Sequence, residues 1–199
     1  MEEAEQKEGR TFFILGSAGS LLLSIASIFM VIFGFYMAFY GTADFMYILA
    51  IISSIIFVIG VCFKGLGFYG FYRNYAIPMG LVSYIFSILI LIYLFICTIL
   101  PTVLPTEYGG YIWFYTYYNQ SFIFYIGGLV LLGIMAMVFG LTLIFVRNNT
   151  GLPELSLASG IILIAAGSFL ASYWGSIIGL FLIFISGVTT GVIFLKAKI

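Results

Sequence analysis

Histidine is missing from this sequence altogether, cysteine occurs twice, proline four times, and only 7% of the 199 residues are charged. Without histidine there is no imidazole base, no histidine-ligated haem and no Cys/His zinc cluster. Cys62 and Cys97 end apolar runs that should finish on opposite faces of a membrane. A disulfide between them, which needs Cα atoms within about 7 Å, is not expected. The prolines mark margins: Pro78 starts one run, Pro101 and Pro105 follow its end, and Pro153 precedes another. No run is interrupted in its middle, which counts against carriers built on broken helices near the bilayer midplane. The scarcity of charge excludes an ordinary soluble domain, in which about a quarter of residues are charged.

What the chain has instead is apolar length, with 64% hydrophobic residues and a mean hydropathy of +1.25. A bilayer core about 30 Å thick is crossed by roughly 20 apolar helical residues. Six charge-free runs meet that length, at 12–40, 45–63, 77–100, 122–146, 155–172 and 176–195. The last two are separated only by residues 173–175; as one helix they would reach about 60 Å, so two spans joined by a tight turn are expected. The predicted fold class is therefore an all-α integral membrane protein, a bundle of six transmembrane helices. Residues 1–11 form a short leading segment, residues 12–199 form the single membrane domain, and spans one and two are paired by a tight turn at 41–44.

Basic residues are retained on the cytoplasmic side of short loops. With both termini cytoplasmic, Lys7, Arg10, Lys64, Arg73, Arg147, Lys196 and Lys198 all fall on that side, leaving Asp44 and Glu107 in the outer loops. The opening MEEAEQKEGRT carries four Glu beside Lys7 and Arg10, and the run after it is too long for a cleavable signal, so a retained anchor in the cell membrane is expected.

Small residues recur at spacings that allow close helix contact: Gly16, Ser20 and Ser24 in span one, Ala136 and Gly140 in span four, and the pairs Gly175/Gly179 and Gly187/Gly191 in the last. They suit either packing within one bundle or dimerisation. The stretch GLGFYG places Gly65, Gly67 and Gly70 in a G-x-G-x-x-G pattern, but it follows a membrane run and not a strand. It is read as a glycine-rich interfacial turn, not a nucleotide fingerprint. On this reading the bundle interior holds no charge. Its polar groups are hydroxyls such as Ser53, Ser54, Ser83, Ser87, Thr142, Thr189 and Thr190, expected to bond a carbonyl one turn back or a neighbouring helix.

Between spans three and four lies YGGYIWFYTYYNQSFIFY, in which ten of eighteen residues are aromatic. Tyr108, Tyr111, Trp113, Tyr115, Tyr117 and Tyr118 suit an interfacial belt, their rings at headgroup level and their polar tips wet; alternatively they form a platform for a ligand or a partner protein. Asn119 opens an outward N-x-S sequon, a candidate glycosylation site, whereas Asn148 opens an N-x-T on the cytoplasmic side.

Two segments, IGVCFKGLGFYGFYRNYAIPMGLVSYIF and NNTGLPELSLASGIILIAAGSFL followed by IIGLFLIFISGVTTGVIFL, resemble small archaeal integral membrane proteins known only as a domain of unknown function. The resemblance implies a six-helix membrane fold and an archaeal source, and supplies no activity or site. No catalytic residue, cofactor or metal is assigned from the sequence. Serines have no base beside them, and Glu107 and Asp44 stand singly in outer loops, so the chain is not expected to be an enzyme. The first functional expectation is a non-catalytic accessory subunit of a larger membrane complex. The alternative is a small transporter or channel for a neutral or lipid-like solute. Expected partners are membrane lipids and other membrane subunits or a second copy of the chain, not nucleic acid. Single cysteines at Asn119 and Asn149 should be labelled from opposite faces by a membrane-impermeant thiol reagent; labelling from one face would overturn the six-span order.

Overall fold

The computed structural model describes the backbone of residues 2–40, 44–103, 110–172 and 175–197, and the side chains of residues 9–32, 52–95, 128–172 and 175–197. Among them run six helices: α1 (Glu2–Tyr40), α2 (Asp44–Tyr75), α3 (Pro78–Val103), α4 (Gly110–Val146), α5 (Pro153–Ala171) and α6 (Ser176–Leu195). Each is long and apolar enough to cross a membrane. A helix satisfies its backbone polar groups internally, the condition for a lone segment in hydrocarbon. Pro78 and Pro153 each begin a helix, where the missing N–H removes nothing.

The main departure from expectation is α2. It does not stop at residue 63 but continues to Tyr75, so GLGFYG is helix and the connection to α3 shrinks to Ala76 and Ile77. The glycines work at contacts in place of a turn. A Cβ on Gly67 would lie 2.5 Å from the Gly16 Cα of α1, and one on Gly65 would lie 2.6 Å from the Ser87 Oγ of α3. Spacing that resembles a loop motif is thus one helix meeting two neighbours. Two smaller corrections concern Pro101, which lies inside the last turn of α3, and the N-terminal residues, which are already helical from Glu2.

Successive helices pack antiparallel, and the order closes on itself. Gly19 meets the backbone of Lys64 between α1 and α2; Ser83 meets Thr142 between α3 and α4; Gly140 meets Gly160 between α4 and α5. Ser159 bonds Thr190 between α5 and α6, and Ser24 donates to the Phe184 carbonyl between α1 and α6. The result is a ring in which every helix has two neighbours. At one end the ring interior is filled by rings: Phe68 and Phe139 have centroids 4.7 Å apart, Phe68 and Phe194 5.3 Å, and Phe13 and Phe71 4.8 Å. Apolar side chains such as Ile14, Ile25, Leu89, Ile92, Phe145 and Ile161 cover the outside, as lipid requires.

The same end carries Arg10, Arg73, Arg147 and Lys196, all exposed. The Arg73 guanidinium lies over the Phe12 ring, 5.6 Å from its centroid. Ala76, which turns the chain from α2 into α3, sits at φ 52°, a conformation costing an L-residue about 1 kcal/mol and glycine nothing. Ala76→Gly should therefore raise the thermal midpoint of the purified protein. Gly160→Leu should lower it, by the equivalent of about 1–3 kcal/mol of overpacking. Gly128→Ala, whose Cβ would stand an ordinary 3.5 Å from Tyr93, should leave it unchanged.

Candidate functional site

One side chain breaks the rule that the interior holds no charge. Lys64 was expected in a cytoplasmic loop; it is a mid-helix residue of α2 and only 1% exposed. Arg73, at the polar end of the same helix, is nine residues further on, and at 1.5 Å per residue Lys64 lies about 13 Å further in. Neighbouring helices agree on that depth. Gly19, which meets the Lys64 backbone, is nine residues from Arg10, and Phe139, which meets the side chain, is eight from Arg147.

The direction in which Lys64 points follows from its neighbours in sequence. Gly60 and Gly67 face α1 and Gly65 faces α3. On a helix of 100° per residue, position 64 falls between those two faces, in line with Phe57, Val61, Phe68 and Phe71, all buried. That line is the inner wall of the ring. Across it, the Lys64 Nζ stands 5.3 Å from the centroid of the Phe139 ring of α4, within cation–π range. No carboxylate of the described residues pairs with it; the single acidic residue among those with described side chains, Glu154, is exposed at the start of α5.

Buried hydroxyls also lie on the helices to either side of α2 and beyond. Toward α3 and α4, Ser83 Oγ and Thr142 Oγ1 are 2.7 Å apart, Thr142 Oγ1 reaches the carbonyls of Val138 at 2.9 Å and Met79 at 3.1 Å, and Ser87 donates to the Ser83 carbonyl at 2.9 Å. Thr142 has a single proton, so when it donates to a carbonyl Ser83 must be the donor between the two hydroxyls. Toward α1, Ser17, Ser20, Ser24 and Ser27 are all buried. Ser24 donates to the Ser20 carbonyl and Ser27 to the Ser24 carbonyl. Ser20 Oγ, by contrast, is one of two buried side-chain polar atoms without a hydrogen-bond partner among the described residues, the other being Tyr75 Oη. Ser20 follows Gly19 and shares the line of Phe13 and Ser27 on α1, between the face that meets α2 and the face that meets α6. Lys64 and Ser20 therefore look into the ring at one depth.

The residues singled out from sequence fall elsewhere. Gly179 stands against Leu170 and the Ala166 carbonyl, Gly187 against Ser24 and the Ser20 carbonyl, Gly191 near Leu21 and the Ser17 carbonyl, and Gly175 against Phe169, contacts within this one chain. Tyr108 lies outside the described residues. Tyr111, Trp113, Tyr115, Tyr117, Tyr118 and Asn119 belong to the backbone of α4, with side chains outside the described set. Cys62 is a free, half-buried thiol. Among the described residues no group of three potential metal ligands of the His, Cys, Asp and Glu types converges.

The signal for Lys64 was present: it is the one charged residue between Asp44 and Arg73, set among Phe, Leu, Tyr and Gly. Treating basic residues as loop markers concealed it. Ser20 was visible only as a spacing. Comparison of the chain with protein-family models, curated proteins and solved structures gives no match, so the reading of this site rests on its own geometry.

Proposed function

We propose that this multi-pass membrane protein handles a solute, as a small carrier or channel, and that Lys64 is its working residue. The observation that carries the reading is a lysine enclosed in a closed helix ring, without a carboxylate among the described residues to neutralise it. Placing a lysine at the centre of a membrane helix costs about 2.5–3.5 kcal/mol or more. A desolvated cation–π contact returns about 2 kcal/mol. An apolar residue of similar length would pack the same space without that cost, as replacements of buried ion pairs in soluble proteins illustrate. The charge is a burden on the fold, and binding something is the role that offsets it.

The solute then carries an anionic group, a departure from the neutral or lipid-like solute suited to an uncharged interior. The accessory-subunit reading drew support from an interior without charge, and that support is gone. No reaction is assigned to the site: the role is binding and passage. We place the end bearing Arg10, Arg73, Arg147 and Lys196 at the cytoplasmic face of the cell membrane, following the retention of basic residues there.

Native mass spectrometry of the protein extracted gently from its own membrane tests this. The expected result is the chain alone or as a homo-oligomer with a retained small anionic molecule, absent from Lys64→Met, whose thermal midpoint equals or exceeds that of the parent. Stoichiometric partner proteins retained by both forms, with no small molecule in either, would establish the accessory subunit instead.

A further inference from the structure

We infer that Lys64 and Ser20 together line a buried site for a small monovalent anion of the halide class, a refinement that rests on the solute-handling reading. Two separate observations carry it: an ammonium without a carboxylate among the described residues, and, on the neighbouring helix, a buried hydroxyl with no partner among them. Buried polar groups in native proteins are bonded, and each exception needs an explanation. An anion in the ring interior, in front of the packed faces of α1 and α2, would accept from both, since the ammonium and the hydroxyl are donors.

The size and charge of the ligand follow from the wall. Lys64 is the one buried cation among the described residues, so one negative charge balances it. Phe68, Phe139 and Phe194 are each buried to within 1% and pack together beside the site, which favours a small ligand over an acyl chain or a sugar. The hydrogen edges of aromatic rings carry partial positive charge and favour an anion in the ring plane. Across the interior, the Ser83–Thr142 pair can turn its protons without breaking its link, because either hydroxyl can be the donor. An anion leaving Lys64 therefore meets one further donor there, from Ser83 on α3 or from Thr142 on α4.

The test is thermal unfolding of the purified full-length protein in detergent, titrated with sodium chloride or bromide against sodium gluconate at constant ionic strength. The midpoint should rise with halide and saturate in the parent, as for a ligand that binds only the folded state. Ser20→Ala should need about tenfold more halide for the same shift, the loss of one hydrogen bond to a charged group. Lys64→Met should show no halide-dependent shift; should that variant not fold, Lys64→Arg, which keeps the charge, should retain a saturable shift, with Ser20→Ala as the weakened case. Equal midpoints in halide and gluconate for the parent would overturn the site, as would a halide shift of the same size in Lys64→Met or an unaltered titration in Ser20→Ala. Halide flux into proteoliposomes separates the two readings. Saturable binding without flux would leave the anion site standing and remove the carrier; a retained anionic molecule of another class without halide binding would do the reverse.

Discussion

Backbone-to-backbone contact between α1 and α2 is the constraint on which the rest of this molecule depends. In lipid there is no hydrophobic force to draw two apolar helices together, so they associate through close packing and small residues. Here Gly16 and Gly67 bring two α-carbons together, and Gly19 admits the Lys64 backbone. Any side chain at these positions would separate the helices. With Gly60 and Gly67 committed to α1 and Gly65 to α3, the rotation of α2 about its axis is fixed, and the lysine between them has no direction left but inward. The glycines set where the charge points, although none of them carries a charge.

Two kinds of joint hold the ring, and they differ mechanically. The α1/α2 and α4/α5 joints are glycine contacts, as at Gly140 and Gly160, where a carbonyl oxygen occupies the place of a side chain. Such joints tolerate little sliding, because interiors packed at this density have discrete arrangements. The α3/α4 and α5/α6 joints carry hydroxyl pairs, Ser83 with Thr142 and Ser159 with Thr190. A hydroxyl can exchange one acceptor for another by rotating a single bond. The wall of the lysine site is thus rigid on its α1 side and adjustable on its α3 and α4 side.

The architecture was legible in the sequence, because six runs of the right length have few alternatives in a bilayer. Pro78 and Pro153 mark helix starts in both, and the ends at residues 40 and 146 agree. The end of α2 was not legible, for a physical reason: glycine breaks helices in water yet permits their approach in lipid, and only the partner helix distinguishes the two. The same ambiguity carried Lys64 into a loop, where it counted as one more cytoplasmic charge, and made Ser20 one member of a small-residue series. A pattern in one helix can state that a small residue is there; it cannot state which wall of which ring the next residue faces.

Ring closure by α6 against α1 also governs how the chain is assembled. Gly16 lies against Phe194, so the first span and the last share a seam, and helices made earlier wait with open sides until the final one arrives. Lys64 is threaded into the bilayer on the second helix, before α4, which supplies the aromatic ring over which it lies, has been synthesised. Through that interval the nascent hairpin α1/α2 carries an uncovered ammonium at membrane depth, and its long side chain has to reach toward the basic end, where headgroups and water are available. The charge set in the wall of the finished ring is therefore the group that the half-built bundle is least able to cover.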